Sequence, residues 1–201
     1  MPRFRCPMSG ESVTTADRET ERLFIGVPLP EVASALVRVA QDALPAVPGL
    51  RLVRPEQVHV TLAFLGEVGP AAREVARGVV ATIPREAAGM TVLGGYVLLP
   101  SARRPRVIAL GVDDPAEVFP ELFELVMGGL EQGRVMRREK RPFLAHATIA
   151  RLRVPAELGL KSECQRAPFP VESVRLYRSE LRREGALYTV VEERTLQSAV
   201  S

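Results

Sequence analysis

Two histidines occur in this chain of 201 residues, and each opens the same four-residue pattern: His59-Val60-Thr61-Leu62 and His146-Ala147-Thr148-Ile149. Each pattern sits in an apolar, β-branched run, Gln57 to Leu65 and Phe143 to Ala150, of the kind that forms buried strands. Side chains alternate along a strand, so each histidine shares a face with the threonine two residues on, while the residues between them point the other way. Any fold this chain adopts must therefore hold two strands that are apolar on one side and carry an imidazole and a hydroxyl on the other. A single His-x-Thr in a strand reads as a satisfied structural histidine; the matched pair reads as one site built from two halves.

Composition sets the frame for that site. Hydrophobic content of 46% with 25% charged residues fits a soluble globular protein, and the length fits one sizeable domain or two small lobes sharing a core. No apolar run approaches the ~20 residues that span a bilayer, so no membrane association is expected. The stretch from Met1 to Glu21 is polar and lacks the apolar segment of a secretory signal; it reads as a disordered extension, 1–21, ahead of a single domain, 22–195. Cys6 and Cys164 give neither a disulfide framework nor metal-ligand spacing. The compartment expected is the cytoplasm. Net charge is +3, carried almost wholly by arginine, a side chain suited to bidentate phosphate contact but also favoured by a GC-rich genome. Arginines cluster at Arg103, Arg104 and Arg106 and again from Arg134 to Arg141, just before the second histidine. A basic run leading into the site leans towards a polyanionic substrate.

Along the chain, Arg22 to Val27 reads as a strand stopped by Pro28 and Pro30, and Glu31 to Leu44 as an amphipathic helix ended by Pro45. A short strand, Leu50 to Val53, precedes the first histidine strand. A helix over Ala71 to Ile83 and two strands, Met90 to Leu99 and Arg106 to Val112, follow. In the second half, Asp114-Pro115 starts a helix running to about Leu130, with Gly133 after its end. The basic loop and Pro142 lead into the second histidine strand. A loop carrying Pro155, Gly159, Pro168 and Pro170 comes next, and two strands, Val171 to Ser179 and Leu187 to Val191, turn about Glu184-Gly185. Short turns between strands require largely antiparallel pairing. The expectation is an α+β protein of two similar lobes with helices outside, each lobe sending one His-x-Thr strand into a central cleft that two sheets line.

At these residues the sequence resembles the two-histidine phosphoesterases, and within them the bacterial and archaeal RNA 2′,3′-cyclic phosphodiesterases, also called 2′–5′ RNA ligases. The resemblance covers about Arg22 to Val191. It is carried by Arg22-Leu23-Phe24-Ile25, by His59 to Gly66, by the Arg103-Arg104-Pro105-Arg106-Val107 turn, by Arg141-Pro142-Phe143 ahead of His146 to Arg151, and by Leu176-Tyr177-Arg178-Ser179. One departure is Ala145, where the family usually has proline; it removes no chemical group. The resemblance implies a bilobal α+β fold with internal pseudo-twofold symmetry and a metal-independent site between the lobes. The expected partner is RNA or a nucleotide ending in a 2′,3′-cyclic phosphate, with no cofactor and nothing that demands more than a monomer.

Opening a cyclic phosphodiester requires one group to take a proton from water and another to protonate the departing ribose oxygen, which two imidazoles can do near neutral pH. The resemblance implies His59 as the acid and His146 as the base. Thr61 and Thr148 can donate to the non-bridging phosphate oxygens, where charge gathers in the transition state. Arg151 is five residues beyond His146 and Phe64 five beyond His59, so strict alternation puts both on the wrong face; at a strand end Arg151 can still turn towards the phosphate, and Phe64 stacks on a nucleobase or packs in the core. Arg141 and Arg54 are candidate contacts to backbone phosphates. Two histidines without an acidic cluster beside them do not make a zinc or two-metal site, and no ATP-binding loop is present, so ligation would run without ATP, as reversal of hydrolysis. Two alternatives stay open: action on another cyclic or 2′–5′ phosphodiester, and an RNA-binding module that does not turn over.

Overall fold

The computed structural model describes residues 20–160, 164–182 and 185–197. Its strands are β1 (Glu21–Pro28), β2 (Leu50–Leu52), β3 (His59–Val68), β4 (Gly89–Leu99), β5 (Val107–Asp113), β6 (His146–Leu152), β7 (Arg166–Val171), β8 (Ser173–Arg182) and β9 (Gly185–Thr195). The helices are α1 (Glu31–Asp42), α2 (Pro70–Ala81) and α3 (Val118–Gln132). All strand pairings are antiparallel, in the order β7-β4-β5-β6-β3-β1-β8-β9, with β2 added on β6. The α+β class and the antiparallel pairing follow the expectation. The two sheets do not stay separate: four strands on either side join through β3 and β6 into one continuous sheet, and the join rests on one register pair, Val60 opposite Ala147.

One side of that seam is core. Val60, Leu62, Ala147 and Ile149 are all buried, and α3 packs against β3 while α2 packs against α3. The α3 residues Val118, Phe119, Leu122, Val126 and Leu130 supply the apolar stripe, each buried aliphatic side chain worth about 1.5–3 kcal/mol relative to exposure. The helix begins later than Asp114-Pro115 suggested, because Asp114 serves as its cap from outside: its carboxylate accepts from the N–H of Val118 at 3.0 Å and of Phe119 at 2.7 Å. The opposite side of the seam is left open for the site.

A second difference concerns the proline-rich stretch after β6. Its end is strand β7, not loop, despite Pro168 and Pro170. As the outermost strand β7 has an unpaired edge where proline's missing N–H costs nothing, and its alternate residues Phe169 and Val171 are buried. The extension expected over 1–21 falls on residues 1–19, outside the described part, while Glu21 already belongs to β1. Position 184 of the expected last turn also lies outside it. Among the described residues no helix is long and apolar enough to cross a membrane.

Candidate active site

The pair Val60–Ala147 joins equivalent positions of the two motifs. Counting one residue outward in antiparallel register sets His59 opposite Thr148 and Thr61 opposite His146, all four on the open face. The local arrangement is therefore twofold, with each histidine facing the other strand's threonine. Both rings are oriented in the same way. His59 Nδ1 lies 2.8 Å from the carbonyl of Gln57, and His146 Nδ1 lies 2.7 Å from that of Leu144, in each case two residues upstream. A carbonyl only accepts, so each Nδ1 carries the proton it donates and each Nε2 is the nitrogen free for chemistry.

The face opens into a cleft of about 820 Å³. His59, Thr61, Thr148, Phe64, Arg151 and Arg54 line it, as do Arg22, Arg51, Phe24 and Tyr188. His146 is not among the lining side chains; the register places it opposite Thr61, which does line the cleft. Arg141 is not brought here. It lines a second, smaller cavity beside the Phe123–Phe143 stack, where Arg138 pairs with Glu124.

Strict alternation fails for Phe64 and Arg151, and the reason is the same in both strands. Thr61 pairs with Gly26 and Phe64 with Phe24, so three residues of β3 span two of β1. Likewise Thr148 pairs with Ala109 and Arg151 with Val107 across β5. A β-bulge in each strand absorbs one residue and returns the fifth position after the histidine to the histidine's own face. The burial sequence from His59 to Phe64 is identical to that from His146 to Arg151. The second bulge is braced from behind: Gln41, buried on α1, donates to the carbonyls of Ile149 at 2.8 Å and Val53 at 2.6 Å.

His59 sits in an aromatic box. Phe24 stacks on its ring at 4.6 Å between centroids, and Tyr188 meets it edge-on at 5.5 Å. Burial in this box holds the imidazole below its ordinary value of 6.5; the Gln57 hydrogen bond works the other way, and the charges of Arg151 and His146 add to the lowering. Burial pushes the Tyr188 phenol up, while the charges of Arg151 and Arg22 work the other way. Behind the box, Gly26 leaves the space: a Cβ there would stand 2.9 Å from the Val60 carbonyl oxygen and 3.1 Å from His59 Cδ2. At the mouth, the Arg22 guanidinium lies over the half-exposed Phe64 ring at 4.9 Å. Four arginines and no carboxylate line the cleft among the described residues. Nor do three His, Cys, Asp or Glu side chains among them come together as a metal site.

The chain is similar to known proteins over most of its length. The family model described as LigT like Phosphoesterase matches residues 27–109. An RNA 2′,3′-cyclic phosphodiesterase of Thermus thermophilus is 33% identical over 189 residues, covering 88% of this chain and 90% of the relative. The chain belongs to the LigT-like phosphoesterase family. A relative of the same name from Methanothermobacter thermautotrophicus is 32% identical over 181 residues, covering 85% of this chain and 96% of its own. In fold, this LigT-like phosphoesterase matches the crystal structure of TT0787 of Thermus thermophilus with a TM-score of 0.75 at 32% identity, over 88% of this chain and 98% of the other. It matches E. coli LigT complexed with 3′-AMP with a TM-score of 0.76 at 23% identity, over 90% of this chain and 100% of the other.

Several cleft residues of this LigT-like phosphoesterase escape a reading of the motifs alone. Arg51 interrupts two leucines in a three-residue strand, a pattern that signals a face but not which partner strand receives it. Phe24 and Tyr188 read as ordinary strand residues. The one signal was scarcity: the chain has three tyrosines and no tryptophan, and two of those tyrosines, Tyr177 and Tyr188, pack around Phe24 and His59.

Proposed function

We propose that this chain opens terminal 2′,3′-cyclic phosphates on RNA, leaving a 2′-phosphomonoester, by acid–base catalysis with two histidines and no metal ion. The observation that carries the reading is the pair of imidazoles presented alike, each tied at Nδ1 and free at Nε2, beside a cleft lined by arginines. The names of the relatives that share most of the chain agree with it.

Water attacks phosphorus in line with the 3′ oxygen, and the new O–P bond forms as the P–O3′ bond breaks. His146 Nε2 takes the proton from water, and His59 Nε2 gives one to the 3′ oxygen. Thr61 and Thr148 donate to the non-bridging oxygens, and the positive field of the arginine-lined cleft draws the anion in. His59 must arrive protonated although burial disfavours its charge; a bound phosphate anion supplies the opposite charge that restores it. A 5′-hydroxyl in place of the water gives a 2′–5′ linkage with no ATP, the reaction that cleavage of such a linkage reverses. The domain expected over 22–195 acts in this reading as one unit, as a monomer in the cytoplasm.

The test is incubation of an oligonucleotide ending in a cyclic phosphate, with and without EDTA, followed by identification of the terminal group. A 2′-phosphate formed equally in both supports the proposal. A 3′-phosphate product, or turnover only with a divalent ion, overturns it.

A further inference from the structure

Arg51 of β2 and Arg151 of β6 are direct cross-strand partners, and both line the cleft. Like charges directly opposite on one sheet face repel and destabilise the pairing. Elsewhere this protein avoids the problem. Arg175 stands opposite Glu193 in the β8–β9 register and pairs with it at 2.8 Å, Arg166 pairs with Asp113, and Arg77 with Glu192. Among the described residues neither Arg51 nor Arg151 lies within ion-pair distance of a carboxylate. Two facing guanidiniums with no protein counter-ion form a site that an external anion completes.

The position of the pair identifies the anion. Thr148 and Arg151 are matched to Ala109 and Val107 of β5, two strand steps apart, or about 7 Å. That is the scale on which successive phosphates follow one another along a nucleotide chain. β2 runs towards the reaction centre: Arg51 lies opposite Arg151, further along β6, and two residues later Val53 donates to the Ile149 carbonyl beside Thr148.

We propose that Arg51 and Arg151 form a second phosphate subsite, which takes the phosphodiester on the 5′ side of the terminal ribose while the histidines and threonines hold the cyclic phosphate. The substrate class is then an oligonucleotide of two or more residues rather than a free cyclic mononucleotide, and Arg51 is the residue that sets this preference. The inference rests on the reading of the cleft as a site for RNA ends.

The experiment compares three ligands: a nucleoside 2′,3′-cyclic phosphate, a dinucleotide ending in the same group, and that dinucleotide with an uncharged methylphosphonate linkage. The parent should favour the charged dinucleotide in kcat/KM over both others by on the order of tenfold, the scale of a charge-assisted contact. Its salt dependence should be steeper by about 0.7 in log–log slope, one further phosphate contact on a single strand. Arg51→Gln should bring the three ligands to within about twofold of one another, and Arg51→Lys should keep part of the salt slope. Titration calorimetry with the corresponding 2′-phosphate products repeats the comparison without turnover. Equal affinities for charged and neutral linkages, or a preference that survives Arg51→Gln, overturns the subsite. Absence of turnover with the affinity difference intact removes the hydrolytic reading and leaves the subsite standing.

Discussion

Val60 lies directly opposite Ala147, and through that one pair the two motifs meet as equivalent partners in an antiparallel register. The consequence is chemical. The register sets each imidazole opposite the hydroxyl-bearing residue of the other strand, so the seam presents an imidazole and a hydroxyl from both sides. Chain segments far apart in sequence thus build a site as regular as a closed repeat.

Replacing either histidine by alanine should lower kcat by about 10²–10⁴, the usual scale for a general acid or base. The measurement is single-turnover hydrolysis of a cyclic-phosphate dinucleotide, with circular dichroism to check the fold. Undiminished turnover in either variant would remove that residue from the chemistry.

The pH profile carries a sign. Burial depresses His59 in the empty cleft, and kcat/KM reports free-enzyme ionisations whereas kcat reports those of the complex. With His59 as the acid, activity is lost on the alkaline side as it deprotonates. That limb should therefore lie at lower pH in kcat/KM than in kcat, because the bound anion raises the His59 value. Proton NMR of the ring should show its titration below the ordinary 6.5 in the free protein and a rise on adding a nucleoside 2′-phosphate. The same depression makes the unfolded chain bind the proton more readily. The contribution of neutral His59 to stability is therefore full above 6.5 and is lost as pH falls through its lower folded value.

Phe64 is 50% exposed, so Phe64→Ala should leave thermal stability nearly unchanged. The loss should appear as weaker substrate binding, about 1–3 kcal/mol for one stacked base. Steady-state kinetics with a dinucleotide checks it; a large fall in melting temperature with KM unchanged would assign the ring to packing instead.

Gly26→Ala should cost about 1–3 kcal/mol by overpacking, since the new methyl meets both the Val60 carbonyl and the His59 ring. If the ring yields, kcat falls further than the lost stability explains, and the NMR shifts of His59 move while those of His146 do not. Denaturant unfolding together with kcat separates the two effects.

The sequence marked the histidines and threonines plainly, because imidazole and hydroxyl at period two inside an apolar run have few structural uses. It marked most strands and all three helices as well, through proline stops and apolar spacing. What it could not show were features fixed by partner strands. The bulges after Thr61 and Thr148 depend on what β1 and β5 place opposite, and so the alternation argument sent Phe64 and Arg151 to the wrong side. Strand β7 was hidden by its prolines, which only an outer position permits. Arg141 was drawn to the site by nearness in sequence to His146, yet its loop docks on α3 through Arg138 and Glu124. Arg51 was missed for the opposite reason: its cross-strand partner, Arg151, lies far along the chain.

The extra residue in β6 has a further implication. Were β6 to keep its length but pair residue for residue with β5, Arg151 would fall on the other face, beside the buried Ile149 and Leu152, with no solvent to receive its charge. The departure from regular pairing is thus as binding a part of the motif as the hydroxyl and the arginine on either side of it.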